Sequence, residues 1–303
     1  MAHTESRRAV IAAFLANLAI AAVKFVTAAV TGSVAMLSEG FHSVADTGNQ
    51  ALLLWGMRQS AKPADPEHPF GRGKEIYFWS FMVAVMLFVG GAVLAIQHGI
   101  DALRHPHEVE SLGISFVVLG IAIVIEFVSF RVALGAFNQV RTDRRLYRAM
   151  RDTKDSSLLV VLLEDSAALA GLFVALIGTT LVSLTHNAAW DGIASLGIGI
   201  ILGLVAFGLA TETKALLIGE SASGKDQDAI RAVLTALPGV DSVGRILTMH
   251  LGPADILVHA EVDFAEGLTS SQVENTVKVA RTSIQAAVPG ARNVAIEPVH
   301  EDG

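Results

Sequence analysis

The chain has 303 residues, of which 52% are hydrophobic and 17% charged, and its mean hydropathy is +0.53. This balance is too apolar for an ordinary soluble domain and predicts a membrane protein, because the apolar residues come in blocks of about 20, enough to cross a bilayer as a helix. The net charge of −7 offers no basic surface for nucleic acid, and the absence of cysteine excludes disulfides and thiolate metal ligands.

Six apolar segments are predicted to be transmembrane helices. They cover residues 9–30, 34–56, 76–99, 112–136, 156–182 and 190–211. The first is expected to be a retained span and not a cleaved signal, since no small-residue cleavage site follows it. From about residue 213 the sequence becomes mixed polar and apolar. We therefore expect a transmembrane transport domain over residues 1–212 and a soluble domain over residues 213–303.

Lys and Arg residues concentrate on one side of the predicted spans. They are Arg7 and Arg8 at the N-terminus, Arg58, Lys62, Arg72 and Lys74 between spans 2 and 3, and Arg131, Arg141, Arg144, Arg145, Arg148, Arg151 and Lys154 between spans 4 and 5. The opposite side has only Arg104. By the positive-inside rule, both termini and the C-terminal domain are expected in the cytoplasm, in a multi-pass protein of the cell's inner membrane.

Two ionisable residues in span 2, His42 and Asp46, are spaced to share one helix face. Four residues make about one helical turn, and imidazole with carboxylate forms half of a site for a divalent transition metal. A structural hydrogen-bonded pair is the alternative interpretation. A stripe of further polar residues in reach favours the metal site: Glu39, Asn49, Gln50 and, in span 1, Asn17.

Three prolines, Pro63, Pro66 and Pro69, end any helix between spans 2 and 3. The loop that contains them carries Asp65 and His68, which could hold an auxiliary metal. Spans 3 and 6 are rich in glycine and alanine, and small residues allow helices to approach closely in lipid.

Lys24 in span 1 and Glu126 in span 4 are also ionisable residues within predicted spans. The ordinary interpretation is favoured for both. Near the cytoplasmic end a lysine reaches out to the interface, and a glutamate pairs with a cation or a helix end.

A second acidic pair, Glu164 and Asp165, lies in span 5. Adjacent residues point about 100° apart on a helix, so one can be a ligand while the other orients a ligand or packs. A tetrahedral site built from two such turns would need a ligand at position 161, which is Val161. The missing ligand could be Glu164, another residue or water.

The C-terminal part is predicted to fold as helix, strand, strand, helix, strand. Apolar residues follow helical spacing over 226–237 and 272–288, whereas 243–251, 256–264 and 293–299 have strand patterns. The αββαβ order predicts a small α+β sheet with both helices on one face, which leaves the other face for a second copy and so favours a homodimer. Candidates for regulatory ligands are His250, His259, His300 and Glu297, although simple exposure to solvent is the favoured interpretation for each.

Motifs of two enzyme classes are absent from the sequence. There is no Walker A motif for ATP and no His-Glu-x-x-His motif of a zinc protease. Any transport would then depend on an ion gradient, and we expect no enzymatic activity.

Four blocks of the sequence, in order, resemble the cation diffusion facilitator family. They are 32–50 with His42 and Asp46, His-Pro-Phe-Gly-Arg-Gly-Lys at 68–74, Leu-Glu-Asp-Ser-Ala-Ala-Leu at 163–169, and Asp-Gly-Ile-Ala-Ser-Leu-Gly-Ile-Gly at 191–199. The Leu-Glu-Asp-Ser block is most similar to the branch that contains zinc transporter 9. The resemblance implies a homodimeric metal/proton exchanger with six spans and a ferredoxin-like, metallochaperone-like cytoplasmic domain.

The resemblance also implies site residues. His42, Asp46 and Asp165 match three of the four transport ligands of the family. The fourth falls on Val161, and Glu164 is the candidate replacement. In the loop Asp65 matches a family ligand, but Arg72 stands where some relatives have histidine, and in the C-terminal domain His259 aligns with a family ligand.

The expected function is proton-coupled antiport that exports a divalent metal, above all Zn²⁺, from the cytoplasm across the lipid bilayer. Fe²⁺ or Mn²⁺ is the alternative cargo, because an oxygen-rich site with only one imidazole suits harder ions. Co²⁺ and Cd²⁺ are further candidate cargoes. From another class, the chain could be a membrane metal sensor without transport. Asn17, Glu39 and Asn49 are expected to orient the ligands.

Overall fold

The computed structural model of the chain describes residues 2–31, 34–105, 112–140 and 154–299. The chain divides into two compact units, the first made of Met1–Arg58 and Glu75–Lys214 and the second of Gln59–Lys74 and Ala215–Gly303. The turn expected at Gly32 and Ser33 lies outside the described residues.

Long helices form the first unit. They are α1 (Ala2–Thr31), α2 (Val34–Ser60), α3 (Glu75–Arg104), α4 (Leu112–Val140), α5 (Ser156–Thr185) and α6 (Ala189–Ile218). Within α3, the α-helical segments Glu75–Met86 and Leu94–Arg104 are joined by the π-helical segment Leu87–Val93. A π-helical turn interrupts the regular hydrogen-bonding pattern and is frequent at functional sites of helices.

In the described part of the chain, five helices are long and apolar enough to cross a membrane, namely α1, α3, α4, α5 and α6. The sixth predicted span is helical, since α2 covers all of 34–56, but α2 is not among the five. Its acidic and amide residues, including Asp46, Asn49 and Gln50, lower its hydropathy. The expectation of six transmembrane helices therefore stays a prediction.

The core of the first unit lies where α1, α4 and α5 meet. α5 is buried along its first two turns, from Ser156 to Leu162, and its start is capped by Asp155. The Asp155 carboxylate accepts hydrogen bonds from the Leu158 amide at 3.3 Å and the Ser157 hydroxyl at 2.6 Å, and it also bonds Ser6 of α1. A helix N-terminus buried in this way needs such partners because its first amides have none within the helix.

Glycines bring α3 and α6 into close contact. A Cβ atom added at Gly199 would lie 2.6 Å from Cγ1 of Ile96, and one added at Gly99 would lie 2.9 Å from the carbonyl oxygen of Gly192. The close approach that the small residues of these spans predict is therefore confirmed, and it occurs between these two helices.

The second unit has helices α7 (Gly224–Thr235) and α8 (Ser270–Ala287) and strands β1 (Val240–Gly252), β2 (Asp255–Phe264) and β3 (Asn293–Val299). The sheet order is β1-β2-β3, with β1 and β2 antiparallel and β2 and β3 parallel. Alternate residues of β2, from Ile256 to Val262, are buried in a core that includes Ile230 of α7 and Ile284 of α8. The intervening residues of β2 lie on the opposite face of the sheet.

The segment between α2 and α3 belongs to the second unit. Gly73 lies so close to the β1–β2 turn that an added Cβ would be 2.4 Å from the carbonyl oxygen of Leu251. The Lys74 ammonium donates to the carbonyl oxygen of Leu217 at 3.5 Å. Only a residue without a side chain fits at position 73, which explains a glycine there.

Candidate metal centre

Glu164 of α5 is held by two amides of α2. The Gln50 amide donates to Oε2 of Glu164 at 2.6 Å, and the Asn49 amide donates to Oε1 at 3.3 Å. All three side chains are buried, with 7% of Glu164, 4% of Asn49 and none of Gln50 exposed. Hydrogen bonds to a buried carboxylate are among the stronger ones in proteins, so this pair of contacts joins α2 firmly to α5.

Asp165 faces a different helix from Glu164. Its carboxylate is 1% exposed, and Oδ2 accepts a hydrogen bond at 2.8 Å from the hydroxyl of Ser129 on α4. Because adjacent residues project about 100° apart, one carboxylate contacts α2 and the other contacts α4. The expectation that the helix aims the two side chains differently is confirmed.

Asp46 and Glu126 belong to the same electrostatic cluster. Glu164 interacts electrostatically with Asp46 and Asp165, and Glu126 interacts with Asp165, Asp46 and Lys24. Carboxylates from α2, α4 and α5 therefore act on one another inside the first unit. Like charges in a medium of low dielectric repel strongly, so a group of this kind favours a cation among its members.

Helix α2 contributes His42 at the position one turn before Asp46. The side chains of His42 and Glu39 lie outside the described part of the structure, so the predicted imidazole ligand stays a prediction. Asn17 of α1 is buried, with 9% of its surface exposed.

Lys24 and Glu126 differ from their sequence-based interpretation. Lys24 is 8% exposed and donates a hydrogen bond to the Ser43 hydroxyl of α2 at 3.0 Å, so the prediction that it reaches the membrane interface is wrong. Glu126 is 5% exposed and interacts with the acidic cluster as well as with a cation. Its spacing of three residues from Ser129 places both on one face of α4, but the sequence does not show that this face contacts Asp165.

The loop residues Asp65 and His68 lie together in the second unit. Asp65 accepts hydrogen bonds from the His68 amide at 2.7 Å and from the Arg72 guanidinium at 3.0 Å, and its Oδ1 lies 3.1 Å from Nδ1 of His68. The hydrogen bond from Arg72 is the main cause that lowers the pKa of Asp65 to about 2. Arg72 thus gives Asp65 the positive charge that a metal ion would give it in a complete loop site.

Three potential metal ligands meet on the open face of the C-terminal sheet. Among the described residues, His259, Glu261 and Glu297 are a group whose ligand atoms all lie within 4.8 Å of one another. Glu261 and Glu297 are partners in the β2–β3 register, and Nε2 of His259 lies 2.9 Å from Oε2 of Glu297. Arg245 binds Glu261 through its Nε at 3.0 Å, which lowers the pKa of that carboxyl. A metal here would have to share Glu261 with this arginine.

The fold and this centre define a class of protein, a helical membrane protein with buried carboxylates that can hold a cation. The family model described as "Cation efflux transmembrane domain" matches residues 10–218. The chain belongs to the cation efflux family, a family of transporters, and the resemblance to the cation diffusion facilitators and their zinc transporter 9 branch is confirmed.

Individual relatives agree with this assignment. The chain is 37% identical over 218 residues to "Proton-coupled zinc antiporter SLC30A9, mitochondrial" of Xenopus laevis, covering 70% of this chain and 38% of that protein. It is 32% identical over 265 residues to "Metal tolerance protein C4" of Arabidopsis thaliana, covering 86% and 57% respectively. It is 26% identical over 213 residues to "Cation-efflux pump FieF" of Klebsiella pneumoniae, covering 68% and 64%. The chain thus spans less than half of the SLC30A9 protein that it matches.

Proposed function

We propose that this chain is a proton-coupled antiporter that exports Zn²⁺ from the cytoplasm. The observation that carries the proposal is the cluster of Asp46 on α2 with the buried Glu164 and Asp165 on α5, whose members act on one another inside a cation efflux domain. The SLC30A9 relative is named as a proton-coupled zinc antiporter, which supports the same cargo and counter-ion.

In this proposal the metal enters from the cytoplasm and binds His42, Asp46 and Asp165, with Glu164 as the fourth ligand. Asn49 holds Glu164 in place, and Asn17 and Glu39 orient the other ligands. Metal binding requires deprotonated ligands, so protons and metal compete for the same atoms. When the helices rock to open the site outward, protons displace the metal and are carried back.

The proposal includes the arrangement of the whole chain. All six helices of the first unit cross the inner membrane of the cell, and both termini and the C-terminal domain lie in the cytoplasm. The transport domain covers residues 1–212 and the ferredoxin-like cytoplasmic domain covers residues 213–303. That domain forms a homodimer and binds a regulatory metal at His259, while Asp65 and His68 are weaker auxiliary ligands because Arg72 already pairs with Asp65.

A proteoliposome assay tests the central claim. With an inwardly acidic pH gradient and a zinc-sensitive dye inside the vesicles, wild-type protein is expected to accumulate Zn²⁺ as protons leave. Asp46→Ala removes a proposed ligand and is expected to abolish this flux. Asp241→Ala, in strand β1 of the other unit, is the matched control and should transport like wild type. Wild-type flux in Asp46→Ala would contradict the site assignment.

Fe²⁺ or Mn²⁺ is a second candidate cargo. Among the described side chains of the cluster, the charged groups are carboxylates apart from Lys24, and carboxylate-rich sites suit harder ions than zinc. Flux measured for each metal at equal concentration decides between these cargoes. Saturable binding of every metal without any flux would instead point to a membrane sensor.

A further inference from the structure

Glu126 is a buried carboxylate in the core of the first unit. It lies on the buried face of α4 together with Ala122, Ser129 and Ala133, and only 5% of it is exposed. Among the described residues, none donates a hydrogen bond to Glu126 or forms a salt bridge with it. An ionised carboxylate without a hydrogen-bond donor at this depth costs roughly several kcal/mol, so it favours a proton or a nearby cation.

The surroundings of Glu126 indicate which cation that is. Among its electrostatic partners, Asp165 has the largest effect and Asp46 the next. Ser129, one turn further along the same face of α4, donates a hydrogen bond to Asp165 at 2.8 Å. The face of α4 that carries Glu126 is thus the face that contacts the candidate metal centre.

Position 161 offers the centre no ligand, and Glu126 can supply an additional one. Val161 is fully buried one turn before Asp165 and offers no donor atom. Both oxygens of Glu164 are already engaged by amides of α2, whereas those of Glu126 accept no hydrogen bond from the described residues. Beside Glu164, Glu126 therefore offers the centre a second carboxylate, and no described residue donates a hydrogen bond to it.

We infer that Glu126 is a metal ligand of the transport site, contributed by α4 to the ion bound by Asp46 and Asp165. This inference rests on the proposed function, because the ion is the transported divalent metal. Lys24 serves as the counter-charge of Glu126 when no metal is bound; its ammonium is anchored by the Ser43 hydroxyl at 3.0 Å. When the metal binds, the divalent ion takes over from the Lys24 ammonium as the counter-charge of Glu126.

Zinc affinity of the purified full-length protein tests the inference. Binding is measured in detergent at fixed pH by competition with a fluorescent zinc chelator. Glu126→Gln keeps the size of the side chain and removes its charge, and it is expected to weaken zinc binding at least about tenfold, the loss typical of a damaged metal site. The matched control is Asp191→Asn, at the exposed start of α6, which should bind like wild type.

A variant of Lys24 tests the inference in the opposite direction, because it is expected to tighten zinc binding. Lys24→Met removes a cation that repels the incoming metal, so zinc binding should become tighter than in wild type. A lysine with a purely structural role would leave the affinity unchanged or weaken it, and either result would overturn the role given to Lys24.

Two further variants separate the possible failures. If Glu126→Gln binds zinc like wild type while Asp46→Asn binds weakly, Glu126 is not a ligand and the proposed function stands. If both bind like wild type, the transport site itself is wrong. Should Glu126→Gln fail to fold, Glu126→Asp keeps the charge and shortens the side chain; its Co²⁺-loaded absorption spectrum must differ from that of wild type, and an identical spectrum overturns the inference.

Discussion

At the scale of single residues, the centre depends on how each buried carboxylate is neutralised. Glu164 has two amide donors, Asp165 has one hydroxyl donor, and Glu126 has an electrostatic link to Lys24. The acidic residues therefore differ in the role that we expect for each. A carboxylate with strong donors is fixed in position, whereas one without donors is available to an ion.

Gln50 is expected to hold the centre together. Gln50→Leu keeps a similar volume but removes the donor that lies 2.6 Å from Glu164, leaving part of a buried carboxylate unsatisfied. We expect a loss of about 1.5–3 kcal/mol in stability, the value typical of hydrogen bonds to charged groups. Thermal unfolding in detergent measures the loss, and Gln139→Leu on the exposed face of α4 is the control. Equal Tm values for the two variants would contradict this role.

Arg72 is expected to prevent metal binding in the loop. Arg72→His removes the guanidinium that lies 3.0 Å from Asp65 and adds an imidazole beside Asp65 and His68. We expect the variant to bind one more Zn²⁺ per chain than wild type, since two imidazoles and a carboxylate suit zinc. Elemental analysis after dialysis measures the ratio, with Arg281→His on α8 as the control. An unchanged ratio would show that the loop geometry, and not Arg72, prevents binding.

At the scale of elements, the helices follow closely from the apolar pattern of the sequence. The prolines after Lys62 separate α2 from α3 as expected, and the alternation of 256–264 correctly predicts β2. The contacts of the site were less accessible to prediction. Periodicity shows which residues of one helix share a face, but it does not show which neighbour that face meets, so the pairing of Ser129 with Asp165 and the burial of Lys24 appear only in the folded unit.

The α3–α6 contact gives a prediction about packing. A Cβ atom at position 199 would lie 2.6 Å from Cγ1 of Ile96 and 3.0 Å from the carbonyl oxygen of Ala92, so Gly199→Ala forces the helices apart. We expect it to destabilise the protein by about 1–3 kcal/mol, as overpacking does.

Gly203→Ala is the matched control on the same helix. Its Cβ atom would meet Cβ of Ala92 at 3.6 Å, which is an ordinary contact. Its Tm should therefore stay near that of wild type, and a loss as large as that of Gly199→Ala would show that the glycines act through helix propensity instead of packing.

At the scale of the whole molecule, two units with separate cores carry two candidate metal sites. The acidic cluster lies in the first unit, and His259, Glu261 and Glu297 lie in the second. Units with their own cores can unfold in separate transitions, and a ligand stabilises only the unit to which it binds. Zinc therefore acts as a probe that reports on each unit independently.

We expect calorimetry of the full chain to show two unfolding transitions, both shifted upward by zinc. At a zinc concentration a hundredfold above Kd, each site should add about 2.7 kcal/mol to the stability of its unit. Asp46→Asn should abolish the shift of one transition and leave the other, and His259→Ala should do the reverse, because His259 lies 2.9 Å from Glu297 in the second site. If one variant removes both shifts, the two metal sites are coupled, and the two units do not bind zinc independently.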